Sequence, residues 1–156
     1  MTLNKLSLIG AACALTLLCN TSALAAPDTA IVTVSATVVG TCKFTSAGSV
    51  AFTLDPSSTA VAAAGTIAQP TFWCTKGTSY TLTDNNGLYV SAGAQRMKHA
   101  SIAEYIPYTF TYTTSGLGTG PIAPFTMDIA SQVAATDYLN ASAGSYADTV
   151  TLTITP

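Results

Sequence analysis

The sequence predicts an all-β domain, and three features carry that expectation. Apolar and polar residues alternate with period two in several short stretches. Gly, Pro, Asn and Asp punctuate the chain at short intervals, and almost nothing repeats with the 3.6-residue period of an amphipathic helix. About seven short strands at this spacing indicate a sandwich or a barrel. The last nine residues, DTVTLTITP, are among the most regular: Val150, Leu152 and Ile154 share one face, and Thr149, Thr151, Thr153 and Thr155 the other. A strand with nothing after it to cover its far side is expected to be a sheet edge or to meet a partner.

In chain order, residues 1–25 read as a secretory signal. Lys5 precedes an apolar run over 6–19, and Ala23-Leu24-Ala25 offers the small-x-small pattern of a signal-peptidase site. The run falls short of the about 20 apolar residues that a membrane span needs, and no later stretch replaces it, so the exported chain is expected to begin near Ala26 or Pro27 and to be soluble. Cleavage removes Cys13 and Cys19. Cys42 and Cys74 then remain, and in an oxidising compartment they are expected to form one disulfide. A metal site is the weaker alternative, since His99 is the sole histidine and no ligand cluster surrounds it.

Residues 30–39, AIVTVSATVV, place Val32, Val34, Ala36 and Val38 opposite Ile31, Thr33, Ser35, Thr37 and Val39. SVAFTL repeats the alternation with Val50, Phe52 and Leu54 until Asp55-Pro56 breaks it. Residues 57–69 are small and Ala-rich and read as a loop or a weak edge segment. In PTFWCTKGTSYTLTDNNG, Lys76-Gly77 turns one short strand into the next, and Asp84-Asn85-Asn86-Gly87 is a strong turn. Residues 88–90 form a short strand candidate. GAQRMKHASIAEY reads as a polar loop, with a short helix as the alternative. IPYTFTYTT returns to alternation with Tyr108, Phe110 and Tyr112 on one face, residues 116–121 make a flexible Gly-rich connection, and PFTMDIA adds Phe125, Met127 and Ile129.

No catalytic constellation assembles from these residues, and the chain is not expected to be an enzyme. His99 has no G-x-S-x-G elbow to serve and reads as a solvated loop histidine. Asp28, Asp55, Asp84, Asp128, Asp137 and Asp148 are scattered and mostly near turns, where Asp bonds its own backbone; Glu104 stands alone. Gly116, Gly118 and Gly120 lack the following helix that a phosphate loop uses. Asn140-Ala141-Ser142 fits a glycosylation sequon on a short tripeptide match. No catalytic, metal-ligating or cofactor-binding residue is assigned and no cofactor is expected. Five Lys and Arg against seven Asp and Glu leave no basic patch for nucleic acid. Few charges also guard the strand edges. Such a composition suits either a protein packed against copies of itself or a Thr-rich secreted domain.

Several stretches together carry a family likeness: VTVSATVVGTC at the first cysteine of the exported chain, FWC at the second, AQRMKHASIAEYIPYTFTY, and the terminal AGSYADTVTLTIT. The chain resembles the spore coat protein U domain family, which includes pilin subunits of archaic chaperone-usher pili. The likeness runs from about Val32 to Thr155. Its most specific element is a terminal G-x-Y-x-D-x-V-x-x-T-I pattern, met by Gly144, Tyr146, Asp148, Val150, Thr153 and Ile154.

The resemblance implies an incomplete immunoglobulin-like β-sandwich that lacks its last strand and is completed by a donor strand from a neighbouring subunit. Under it, residues 26–39 are a donor segment running into the first strand, with Val32, Val34, Ala36 and Val38 as donor side chains, and 40–156 is the pilin domain. Val150, Leu152 and Ile154 would flank the acceptor groove. The implied partners are copies of itself or related pilins, a periplasmic chaperone and an outer-membrane usher, with no nucleic acid and no membrane span. The implied location is a surface pilus reached through the periplasm, in the rod or as an adaptor. The competing function is a monomeric secreted coat or carbohydrate-binding β-sandwich, and the competing role for 30–39 is the domain's own first strand.

Cleavage is expected after Ala25, with Ala26 or a close neighbour as the new N-terminus. N-terminal sequencing of the exported protein checks this, and an intact Met1 there would refute it.

Overall fold

The computed structural model describes residues 26–57 and 62–156. The expected signal segment, 1–25, lies outside the described residues. The chain divides into Met1–Ala36 and Thr37–Pro156. In the first unit, residues 26–36 form no helix or strand and are exposed throughout, with Ile31 96%, Val32 81% and Val34 88% accessible.

Among the described residues, the second unit holds thirteen short strands and one turn of helix. They are β1 (Cys42–Phe44), β2 (Ser49–Ala51), β3 (Ala63–Ala64), β4 (Thr66–Ala68), β5 (Thr71–Cys74), β6 (Ser79–Asp84) and β7 (Gln95–His99), followed by β8 (Tyr105–Thr111), β9 (Ser115–Leu117), β10 (Phe125–Thr126), β11 (Ala130–Val133), α1 (Ala135–Tyr138), β12 (Tyr146–Ala147) and β13 (Leu152–Thr155). The sheets run β1-β5-β10, β12-β7-β8-β11-β3, β13-β6-β9 and β2-β4, with antiparallel pairing throughout.

Period-two alternation explains the longest strands. In β6, Tyr80 and Leu82 are buried while Ser79, Thr81 and Thr83 are exposed. The next turn needs left-handed backbone at Asn86 (φ 57°) and Gly87 (φ 80°). Asp84 and Asn85 stabilise it by accepting the Asn86 and Gly87 amides at 2.6 and 3.1 Å. Val50, Phe52 and Leu54 alternate inward as the sequence indicates, although β2 itself ends at Ala51.

Buried side chains form two clusters. The first gathers Phe72, Cys74, Tyr80, Leu82, Met127 and Ile129, with Phe44, Val50, Phe110 and Leu152 packed against it. The second gathers Ile106, Val133 and Tyr138, with Phe52, Leu54, Met97, Tyr108 and Tyr146 against it. Cys42 and Cys74 are directly opposed in the β1–β5 register and joined by a disulfide.

Three expectations are corrected. The expected polar loop at 95–99 is strand β7, and His99 is 8% exposed rather than solvated. The charges there sit on the outer face: the Arg96 guanidinium lies 4.4 Å from the Tyr105 ring centre and the Lys98 ammonium 5.6 Å from that of Tyr89, so aromatic rings rather than a loop carry them. Residues 88–90 are a turn and not a strand, because the Leu88 amide is taken by the Asp148 carboxylate at 2.8 Å. The Gly-rich stretch at 116–121 is held rather than flexible: Gly118 N donates to Thr78 O and Gly120 N to Cys74 O, at 2.8 and 2.9 Å. A Cβ on Gly118 would meet the Thr75 and Cys74 carbonyls, so glycine there permits backbone to approach backbone. No element was expected at α1, whose single turn is too short to carry a helical period.

The disulfide closes a loop with a sequence separation of 32. Replacing Cys42 or Cys74 by Ser is expected to lower unfolding free energy by roughly 3 to 4 kcal/mol, read from denaturant curves of the oxidised protein. Quantitative thiol titration of the native wild type would contradict the pairing.

Candidate functional site

Between the N-terminal and C-terminal strands of the second unit lies an open groove of about 830 Å³. One wall carries Phe44, Val50 and Phe52, and the other Tyr146, Asp148, Val150 and Leu152. Met97, Tyr108, Phe110 and Ile129 line the space between them. The lining draws from both core clusters. β1, β2, β12 and β13, which supply the walls, each stand at the end of their sheet's strand order and pair on one side among the described residues. An edge of this kind presents backbone N–H and C=O groups to any strand that reaches it.

The C-terminal wall is built by unusual means. β12 pairs with β7 and β13 with β6, so the chain passes from one sheet to another across 148–151. Side chains take over there from strand partners. Asp148 Oδ1 accepts the Leu88 and Thr149 amides, both at 2.8 Å, and Oδ2 accepts the Tyr108 hydroxyl at 2.7 Å. Asn85 Oδ1 accepts the Thr151 amide at 2.9 Å, and the Asn85 amide donates to Thr151 O at 3.2 Å. Gly87 is required beside this carboxylate, since a Cβ would strike Asp148 Oδ2. Tyr112 makes a parallel tie, its hydroxyl donating to Asp84 Oδ2 at 2.7 Å. Burial, reinforced by these carboxylates, pushes the Tyr108 and Tyr112 hydroxyls well above their ordinary pKa and keeps them donors.

The terminal motif anchors the near end of the wall. The Tyr146 hydroxyl donates to Glu104 Oε1 at 2.7 Å, and its ring meets His99 edge to face at 4.9 Å. Gly144 clears space for His99, whose Nε2 a Cβ would strike. His99 Nδ1 accepts the Ser101 and Ile102 amides at 3.0 and 3.3 Å, which places the ring proton on Nε2, 3.4 Å from Ala143 O. The ring is committed to holding a turn. Among the described residues, no group of three His, Cys, Asp or Glu could hold a metal, and no helix is long and apolar enough to cross a membrane.

The structure brings Val150 and Leu152 together on the groove wall, while Ile154 is half-buried against the first core cluster and does not line the cavity. Residues 37–41 are exposed, Val38 at 82%, and their base is tied where Thr75 Oγ1 donates to Val39 O and accepts the Thr41 amide. Sequence reasoning placed Val50 and Phe52 on an inward face without assigning them to the groove, and it read Asp148 as a turn acid. An inward face toward a core and one toward a groove have the same period, so pattern could not separate them. The recurrence of Tyr108, Tyr112 and two acids near turns was the available signal for the ties.

Taken together these features define a β-domain whose two edge walls stand either side of an open groove lined by apolar side chains and by Thr45, Ser46, Ser49 and Asp148. Residues 28–153 match the Spore Coat Protein U domain, and the chain belongs to that family. No curated protein matches it in sequence. Among solved structures it is similar to a chain of the CsuC-CsuE chaperone–tip adhesion subunit pre-assembly complex from archaic chaperone-usher Csu pili of Acinetobacter baumannii. Identity is 22% and the TM-score 0.49, over 76% of this chain and 40% of that one, so this chain spans less than half the length of its match.

Hydrogen bonds from Ser142, then from Tyr146, pull the Glu104 carboxyl down from 4.5 to about 2. A pKa lowered in the folded state contributes stability above the unfolded value and loses it as pH falls through the folded one. Melting temperature is therefore expected to decline from pH 4.5 towards pH 2, and Glu104→Gln should flatten that decline. An unchanged slope in the variant would show that Glu104 does not anchor the motif.

Proposed function

We propose that this chain is the structural subunit of an extracellular pilus assembled by the chaperone-usher pathway through donor-strand complementation. The observation that carries the reading is the open groove between two edge walls, with Phe44, Val50, Phe52, Val150 and Leu152 turned into it, in a chain that also exposes an alternating apolar segment over 30–39. A strand laid in the groove would bond to both edges and bury one face, which is β-augmentation. In this reading the fold is an incomplete immunoglobulin-like sandwich. Residues 1–25 are the export signal, 26–39 the donor and 40–156 the acceptor domain. A periplasmic chaperone fills the groove first, an outer-membrane usher receives the complex, and the donor of the next subunit replaces the chaperone's strand at the cell surface.

The donor face is Val32, Val34, Ala36 and Val38, and burying each valine is worth roughly 1.5 to 3 kcal/mol. Deleting the exported chain up to Val34 is expected to abolish fibres seen by electron microscopy while leaving a chaperone-bound monomer. Val34→Asp should do nearly the same, because it buries an unpaired carboxylate. Thr33→Asp on the opposite face should assemble much as wild type does. Fibres from the truncated chain, or a stable chaperone-free monomer from the full one, would replace this reading with a monomeric β-domain.

A further inference from the structure

Six residues of the C-terminal wall border the groove, and the alternate ones, Tyr146, Asp148, Val150 and Leu152, are half-buried while Ala147 and Thr149 between them are exposed. Three offer apolar surface, since the Tyr146 hydroxyl is engaged by Glu104 and by Ser142 O. The fourth is a fixed carboxylate. Three hydrogen bonds occupy both of its oxygens, and Gly87 stands against it, so Asp148 cannot swing out of the wall. In an extended conformation the exposed N-terminal segment would also present four side chains on one face, three valines and one alanine.

We propose that Asp148 sets the register of the entering strand: the segment from a second copy runs antiparallel to the wall with Ala36 opposite Asp148. Val38 then lies opposite Tyr146, Val34 opposite Val150, and Val32 opposite Leu152. This rests on the groove being a strand site and adds to it which residues meet. The alternating phase of the wall runs unbroken through the sheet switch, so inward residues face inward residues directly. Four then match four with the one small side chain over the one polar group. Sliding the strand by two residues puts Val34 or Val38 on the carboxylate and leaves alanine over an apolar position. Parallel entry of the same four residues puts Val34 there. Either arrangement presses branched carbon onto a carboxylate, stripping its remaining water without offering it a hydrogen bond.

Cysteine pairs in the full exported chain test the register, because opposite Cβ atoms lie about 4.5 to 5.5 Å apart. Fibres of Val34→Cys/Val150→Cys, and of Val32→Cys/Leu152→Cys, are expected to give a ladder that survives boiling without reductant and collapses with it. A ladder from Val34→Cys/Leu152→Cys instead would overturn the register. Residue 36 is exposed in the subunit, so Ala36→Val leaves the fold alone and gives a second measurement. It is expected to slow assembly about tenfold, as overpacking at one position does, whereas a register that sets residue 36 over Val150 would make assembly faster or leave it unchanged. Loss of fibres on trimming the segment, combined with the wrong ladder, sinks the register alone. Fibres that persist without the segment sink the strand-site reading as well.

Discussion

One strand is shared between two sheets, and much of the molecule is arranged around that sharing. Residues 146–147 belong to the sheet of β7 and β8, residues 152–155 to the sheet of β6 and β9, and the four residues between them pair with neither. Backbone groups cannot be left without partners where alternate side chains are turned inward. The Asp148 carboxylate and the Asn85 amide therefore stand in for the missing strand. Their placement accounts for the turn at 84–87, for glycine at 87, and for a tyrosine at 108 long enough to reach across.

The same division runs through the core. On the N-terminal wall, Val50 packs on the first cluster and Phe52 on the second; on the C-terminal wall, Leu152 packs on the first and Tyr146 on the second. The groove lies along the seam. A strand seated there would touch both clusters and turn two small cores into one. It would also become a central strand, bonded on both sides, which is the most buried place an extended segment can occupy.

Much of this was legible in the sequence, and the limits follow from what a pattern encodes. Alternation identified the β class, the inward faces at 50–54, in β8 and in the C-terminal strand, and the turns at 76–77 and 84–87, because period and turn chemistry are local. It misread 95–99, where Gln95, Met97 and His99 alternate with Arg96 and Lys98. Polar residues facing inward look like a loop until their partners are known: the turn at 101–102 for His99, and tyrosine rings for the cations. It took Gly116, Gly118 and Gly120 for slack, when Gly116 makes room for the Tyr80 ring, Gly118 lets backbone approach backbone and Gly120 adopts a left-handed φ of 94°. Around the cavity, Val150 and Leu152 stand on one wall and Phe44, Val50 and Phe52 on the other, while Ile154 packs on the first core cluster. Which edges stand beside one another is a matter of topology, and a period of two carries no topology.

A groove of this size does not persist by default, because side chains around a void relax into it to recover lost contacts. Here the walls are braced by features that do not depend on an occupant. The disulfide ties β1 to β5, the Tyr108–Asp148 tie joins β8 to the C-terminal wall, and the Tyr112–Asp84 tie holds the strand beside it. Bracing shifts the entropic cost of shaping the site into folding and away from binding, so more of the contact energy remains available to hold an incoming strand. It also leaves Phe44, Val50, Phe52, Val150 and Leu152 only half-buried. Any strand that covers them adds its binding free energy to the stability of the fold by mass action. Stability and occupancy are then one quantity, and a domain built this way is least stable whenever its groove is bare.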